Sequence, residues 1–171
     1  MSFIPKVLII AGSDSGGGAG IQADIKTTSY FNGYAMTAIT AITAQNTVGV
    51  QSIYPLPKEI VMEQINSITT DLSPDIVKIG MLADLDIIEY ISKKISNYKI
   101  VLDPVMVATS GDVLVSDKVV SSIKNNLINK SFLITPNIYE AEILSENKIN
   151  CLEDQIEAGK NLLKLGCKHE L

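Results

Sequence analysis

The stretch Lys6-Val7-Leu8-Ile9-Ile10-Ala11-Gly12-Ser13-Asp14-Ser15-Gly16-Gly17-Gly18-Ala19-Gly20-Ile21-Gln22-Ala23-Asp24 decides the fold. Its first half is an apolar run of strand length. Its second half is a glycine-rich turn that leads straight into a helix start. A strand emptying through such a turn into a helix is a unit from which α/β proteins build ligand sites. The glycines let backbone approach a ligand, and the helix N-terminus favours polar or anionic groups. Gln22 and Asp24 follow on the first helical turns, where a pocket would meet them. The turn is not a Walker A motif, because no Gly-Lys-Ser/Thr closes it. Nor is it a dinucleotide fingerprint, since Gly16, Gly18 and Ala19 do not complete GxGxxG. The pattern leaves two readings open: a binding turn for an unspecified ligand, or a glycine turn needed only for packing.

Outward from this stretch the chain alternates strand and helix. Strands are expected at Lys6–Ala11, Thr37–Ala44, Ile76–Met81, Lys99–Leu102 and Phe132–Thr135. Helices are expected from Gly20 to Asn32, Lys58 to Leu72, Asp84 to Ser96, Ser116 or Asp117 to Asn129, Asn137 to Leu144, and Glu153 to Leu165. Five strands joined by helical crossovers predict a parallel sheet covered on both faces, with ligands bound beyond the carboxyl ends of the strands. That rim collects Gly12 and Asp14, then Gln45 and Asn46, Gly80 and Met81, Asp103, and finally Thr135, Asn137 and Glu140. The segment from Val105 to Val115 lacks periodicity and is expected to form a mobile loop at the same rim. No repeat or linker divides the chain, so residues 1–171 read as a single domain.

The chain has 171 residues, 46 % hydrophobic and 19 % charged, a balance that suits one globular domain and speaks against disorder. Its net charge of −5 without a basic run argues against a nucleic-acid partner. Cys151 and Cys167 form no CxxC motif, and His169 stands alone, so no metal cluster is expected and a reducing, cytoplasmic setting fits. The apolar run ending at Ala11 is too short for a membrane span or a signal segment.

Two polar groups at the rim suggest chemistry. Asp24 and Gln45 offer an acceptor and an amide, suited to a heterocycle with an amino group and ring nitrogens, although Asp24 alone reads as a surface carboxylate. Asp103 and Glu140, with Thr135 and Asn137, suit Mg²⁺ and its waters bridging nucleotide phosphates. Asn137 and Glu140 serve a plain helix cap equally well. Lys78, in an apolar strand, is left to reach solvent, a phosphate or a carboxylate.

Several segments in this order resemble the hydroxymethylpyrimidine and phosphomethylpyrimidine kinases of thiamine biosynthesis, a branch of the ribokinase-like fold that also contains pyridoxal kinases. They are Ala11-Gly12-Ser13-Asp14-Ser15 through Thr27, Thr40 through Thr47, Lys78-Ile79-Gly80-Met81-Leu82, Leu102-Asp103-Pro104 through Gly111, and Thr135-Pro136-Asn137 with Glu140-Ala141. The first two favour the pyrimidine kinases over a pyridoxal kinase-like vitamin kinase. The resemblance implies a three-layer α/β/α fold with a mostly parallel sheet. It implies ATP-dependent phosphorylation of 4-amino-5-hydroxymethyl-2-methylpyrimidine and of its monophosphate. Gly12, Asp24, Gln45, Met81 and Val107 would line the pyrimidine pocket. Asp103, Thr135, Asn137 and Glu140 would sit on the Mg-ATP side, with Asp103 and Glu140 toward Mg²⁺.

Members of that family are roughly half as long again. In the family the further portion carries the adenine pocket, a Gly-rich anion hole and the residue that activates the substrate hydroxyl. The expectation is therefore a C-terminally truncated chain, with catalytic residues beyond residue 171 and activity impaired or lost. A non-catalytic pyrimidine-binding remnant, or half of a split enzyme completed by a second polypeptide, are the alternatives. A homodimer is a further expectation. The fifth strand is expected to be an unpaired edge. A smaller departure is Gly16, where the family usually has Ser.

Overall fold

A computed structural model gives the architecture and describes residues 3–107 and 114–171. The strands are β1 (Lys6–Asp14), β2 (Tyr34–Gln45), β3 (Val50–Pro55), β4 (Ile76–Ile79), β5 (Lys99–Leu102), β6 (Leu133–Ile134) and β7 (His169–Glu170). The helices are α1 (Gly20–Tyr30), α2 (Lys58–Asp71), α3 (Leu85–Lys94), α4 (Asp117–Asn126), α5 (Ile138–Ser145) and α6 (Leu152–Lys164). All seven strands form one sheet in the order β3-β2-β1-β4-β5-β6-β7. Every pairing is parallel except that of β3 with β2.

The continuous apolar run of β1 has a direct cause. β1 lies between β2 and β4, and Leu8, Ile9 and Ile10 are buried on opposite faces of the same strand. On one face Leu8 and Ile10 join the main core with residues of α2 to α6, among them Ile65, Ile88, Ile123 and Leu162. On the other face Ile9 and Ala11 pack with Ile21 of α1 in a small second core. Burying an isoleucine fully contributes about 1.5–3 kcal/mol before chain entropy is counted, so the main core dominates. Local signals fix the helix starts. Asp84 caps α3 by accepting from Ile87 N at 3.0 Å, and Lys93 and Lys94 complement its C-terminal dipole.

Two expectations need correction. Among the described residues there are seven strands, not five: β3 adds an antiparallel edge beside β2, and β7 pairs with β6 through Leu133↔His169 and Ile134↔Glu170. The fifth expected strand, β6, is therefore not an edge. Helices lie on both faces of the sheet, as expected, although α1 packs over β1 and β2 alone while Lys78, Val101 and Leu133 on that face are half-buried. The middle of the expected rim loop, residues 108–113, lies outside the described residues. On its flanks Leu114 N donates to Met106 O at 2.9 Å. No helix among the described residues is long and apolar enough to cross a membrane.

Candidate active site

The carboxyl ends of β1, β2, β4, β5 and β6 surround a cavity of about 330 Å³. All nine residues that the family resemblance places in the pocket or on the Mg-ATP side line it: Gly12, Asp24, Gln45, Met81, Val107, Asp103, Thr135, Asn137 and Glu140. Asp14 and Gly80, expected at the rim from chain order, also line it, as do Thr43, Lys78, Val105 and Leu114, whereas Asn46, expected there too, does not. The gathering follows from topology. In a parallel sheet every loop after a strand opens at the same rim, whatever the distance in sequence.

The glycine turn is built around Asp14, which is 5 % exposed. Its carboxylate accepts from Gly16 N at 2.7 Å, Gly18 N at 2.9 Å and Ala19 N at 2.8 Å, and its backbone carbonyl accepts from Gly17 N at 3.0 Å. Burial pushes the Asp14 carboxyl up, but the N–H groups of Ala19, Gly16, Gly18 and Gly17 outweigh it and hold the group below its ordinary value. The four N–H groups that would cradle an anion are thus engaged by one residue of the same turn. Gln22 belongs to this support: its Oε1 accepts from Asp14 N at 2.8 Å and its Nε2 donates to Ser13 Oγ at 2.7 Å. It does not line the cavity, contrary to its expected place.

Gly20 begins α1 with φ +55°, and a Cβ there would stand 2.3 Å from Gly12 O. The ladder between β1 and β2 shifts register between Ala11 and Ser13, beside Gly12. Such irregularities re-aim the chain at functional rims. The Gly12 wall faces Met81, whose carbonyl accepts from the buried Thr40 Oγ1 at 2.9 Å. Gln45 Oε1 accepts from Thr43 Oγ1 at 3.2 Å. Ser15 Oγ accepts from Gln45 N at 2.8 Å and donates to Gln45 O at 2.8 Å, which clamps the glycine turn to the end of β2.

On the far side, Asn137 and Glu140 form a capping box on α5. Asn137 Oδ1 accepts from Glu140 N at 2.9 Å, and Glu140 Oε2 accepts from Asn137 N at 2.9 Å. Glu140 Oε1 also accepts from Met106 N at 3.2 Å. Burial pushes the Glu140 carboxyl up and the nearby Asp103 charge adds to this, with the backbone N–H groups of Asn137 and Met106 only partly opposing. Among the described residues no group of three or more His, Cys, Asp or Glu side chains is placed to hold a metal ion. Lys78, left open from sequence, bridges the two sides: Nζ donates to Asp24 Oδ2 at 2.8 Å and to Asp103 Oδ2 at 3.2 Å. The one signal in the sequence was a charged residue inside an apolar strand.

The sheet order and the helices packed on it define a ribokinase-like α/β domain. The family model described as phosphomethylpyrimidine kinase matches residues 14–171, and the chain belongs to that family. It is 48 % identical over 169 residues to the hydroxymethylpyrimidine/phosphomethylpyrimidine kinase of Bacillus subtilis, an alignment covering 97 % of this chain and 62 % of that protein. A crystal structure of phosphomethylpyrimidine kinase from Clostridium difficile superimposes with a TM-score of 0.89 at 43 % identity, covering 99 % of this chain and 74 % of the other. Pyridoxal kinase from Staphylococcus aureus in complex with pyridoxal gives a TM-score of 0.90 at 32 % identity, with coverages of 99 % and 64 %. The chain spans less than two thirds of the length of the curated relatives it matches first.

Proposed function

We propose that this chain carries the substrate pocket of an ATP-dependent kinase acting on 4-amino-5-hydroxymethyl-2-methylpyrimidine and on its monophosphate. The observation that carries the reading is the convergence of the nine residues on one cavity, in a chain of this family. In this reading Gly12, Met81 and Val107 form the walls around the ring. Asp24 and Gln45 read its amino group and ring nitrogen, and the hydrogen-bonding match rejects rings that lack those groups. Asp103, Thr135, Asn137 and Glu140 face the nucleotide.

The donor set suits Mg²⁺ arriving with nucleotide phosphates, because that ion keeps most of its waters and needs few protein ligands. Asp103 is the carboxylate on that side, while both oxygens of Glu140 already accept from backbone, so Glu140 acts by holding the N-terminus of α5 and Met106 in place. Bound Mg²⁺ would neutralise phosphate charge. The chain's own contribution is to orient the pyrimidine and exclude water around its hydroxymethyl oxygen.

The free cysteines Cys151 and Cys167 suit a cytoplasmic setting. The reading includes a protein partner, a second copy or a complementing polypeptide, which would cover the exposed Leu152 and Ile156 of α6. Calorimetry with the aminopyrimidine alcohol, its monophosphate and pyridoxal tests the pocket, and a coupled ADP-release assay tests turnover. Preferential binding of the pyrimidines with turnover supports the kinase reading. Binding without turnover favours a pyrimidine-binding module, preference for pyridoxal favours the vitamin kinase alternative, and no binding overturns the pocket assignment.

A further inference from the structure

Lys78 lies on β4, the middle strand of the seven, and its side chain leaves the sheet on the side of α1. Its side chain is 20 % exposed, and its ammonium meets Asp24 from α1 and Asp103 from the end of β5. The path to them is kept open by Gly80, where a Cβ would stand 3.2 Å from Lys78 Nζ and 3.0 Å from Ala11 Cβ. Two carboxylates facing one another in a half-buried cavity repel, and their oxygens suit a hard divalent cation. Here an ammonium of the chain itself sits between them.

We propose that Lys78 is a positioning residue for both halves of the cavity: its ammonium is a built-in cation that fixes where Asp24 and Asp103 point and keeps a divalent ion out of the gap between them. Asp24 is thereby reserved for the ring and Asp103 for the phosphate side, a division that rests on the kinase reading above. The charge balance is specific. With Lys78 the pair carries one net negative charge; without it, two.

The test is Mn²⁺ binding to the full chain, followed by electron paramagnetic resonance, with thermal melting as the check on folding. Lys78→Met and Lys78→Gln should each bind Mn²⁺ at least about tenfold more tightly than the unaltered chain, the effect of removing one close unit charge. Adding Asp24→Asn to Lys78→Met should return the affinity to its starting level. Lys78→Arg, which keeps the charge, should leave it unchanged. Unaltered Mn²⁺ affinity in folded Lys78→Met and Lys78→Gln overturns the proposal, as does a gain that survives Asp24→Asn. Failure of both neutral variants to fold overturns it too, since Lys78 would then be a plain folding contact. Absence of pyrimidine binding by the unaltered chain is a different result, one that removes the kinase reading and leaves the Mn²⁺ outcome standing.

Discussion

Glu140 Oε1 accepts the backbone N–H of Met106 at 3.2 Å, which ties the first turn of α5 to the segment that follows β5. One buried carboxylate thus holds two walls of the cavity, since its other oxygen caps α5 through Asn137 N. Glu140→Ala leaves both N–H groups without this acceptor and should cost about 1–3 kcal/mol of stability, read by urea unfolding. The pH dependence has a definite sign. Burial, and secondarily Asp103, raise the folded-state value above the ordinary 4.5, so the folded chain binds the proton more readily than the unfolded one. This group's contribution to stability therefore falls as pH rises from the ordinary value through the raised one, and Glu140→Gln should flatten that slope. An unchanged slope would remove Glu140 as its source.

Asp14 should show the opposite behaviour. Its burial raises the carboxyl but four N–H groups hold it below the ordinary 3.8, so its stabilisation is complete above that value and is lost as pH falls toward the lowered one. Asp14→Ala should cost about 1.5–3 kcal/mol, in the range of hydrogen bonds to a charged group. Asp14→Asn, which keeps one acceptor oxygen, should cost less. Acid titration of the three proteins followed by circular dichroism measures both effects.

Two glycines of the same turn should respond differently to alanine. At Gly20 the left-handed φ of +55° combines with a Cβ position 2.3 Å from Gly12 O. Gly20→Ala should destabilise by about 1–3 kcal/mol and weaken pyrimidine binding by displacing the Gly12 wall. At Gly18 a Cβ would meet only Asp14 Oδ2, at 3.9 Å. Gly18→Ala should leave melting temperature and affinity close to their starting values, and equal losses at both positions would contradict the geometry.

Asp24→Ala and Gln45→Ala test the ring-reading pair. Each removes a polar group that lines the cavity. Each should weaken calorimetric binding of the aminopyrimidine by about tenfold or more, the value of a lost hydrogen bond to a fixed polar partner. Binding of a des-amino analogue should change little. Equal affinity of Asp24→Ala for the parent pyrimidine would take Asp24 out of the site.

The parts of the fold that were legible in the sequence are those with a strong period or a strong stop. β1 shows as an unbroken apolar run because it is buried on both faces, and α3 shows because Asp84 caps it and its isoleucines recur at helical spacing. β3 was missed because Val50–Pro55 has exposed residues on both sides and no alternation to read. β7 was missed because two residues, His169 and Glu170, carry no period at all. In the site, the rim residues could be grouped from chain order, since each follows a strand. The direction of a single side chain could not. Gln22 turns back to hold Asp14 and Ser13, and Lys78 meets Asp24 across 54 positions of sequence.

The turn that opens this chain's ligand site has an internal anion already seated in it. The consecutive N–H groups of Gly16, Gly17, Gly18 and Ala19 all end on Asp14. Free sulfate or phosphate therefore meets these four N–H groups already engaged, however concentrated it is. In the kinase reading a substrate phosphate is therefore held by other groups of the rim and not by this turn.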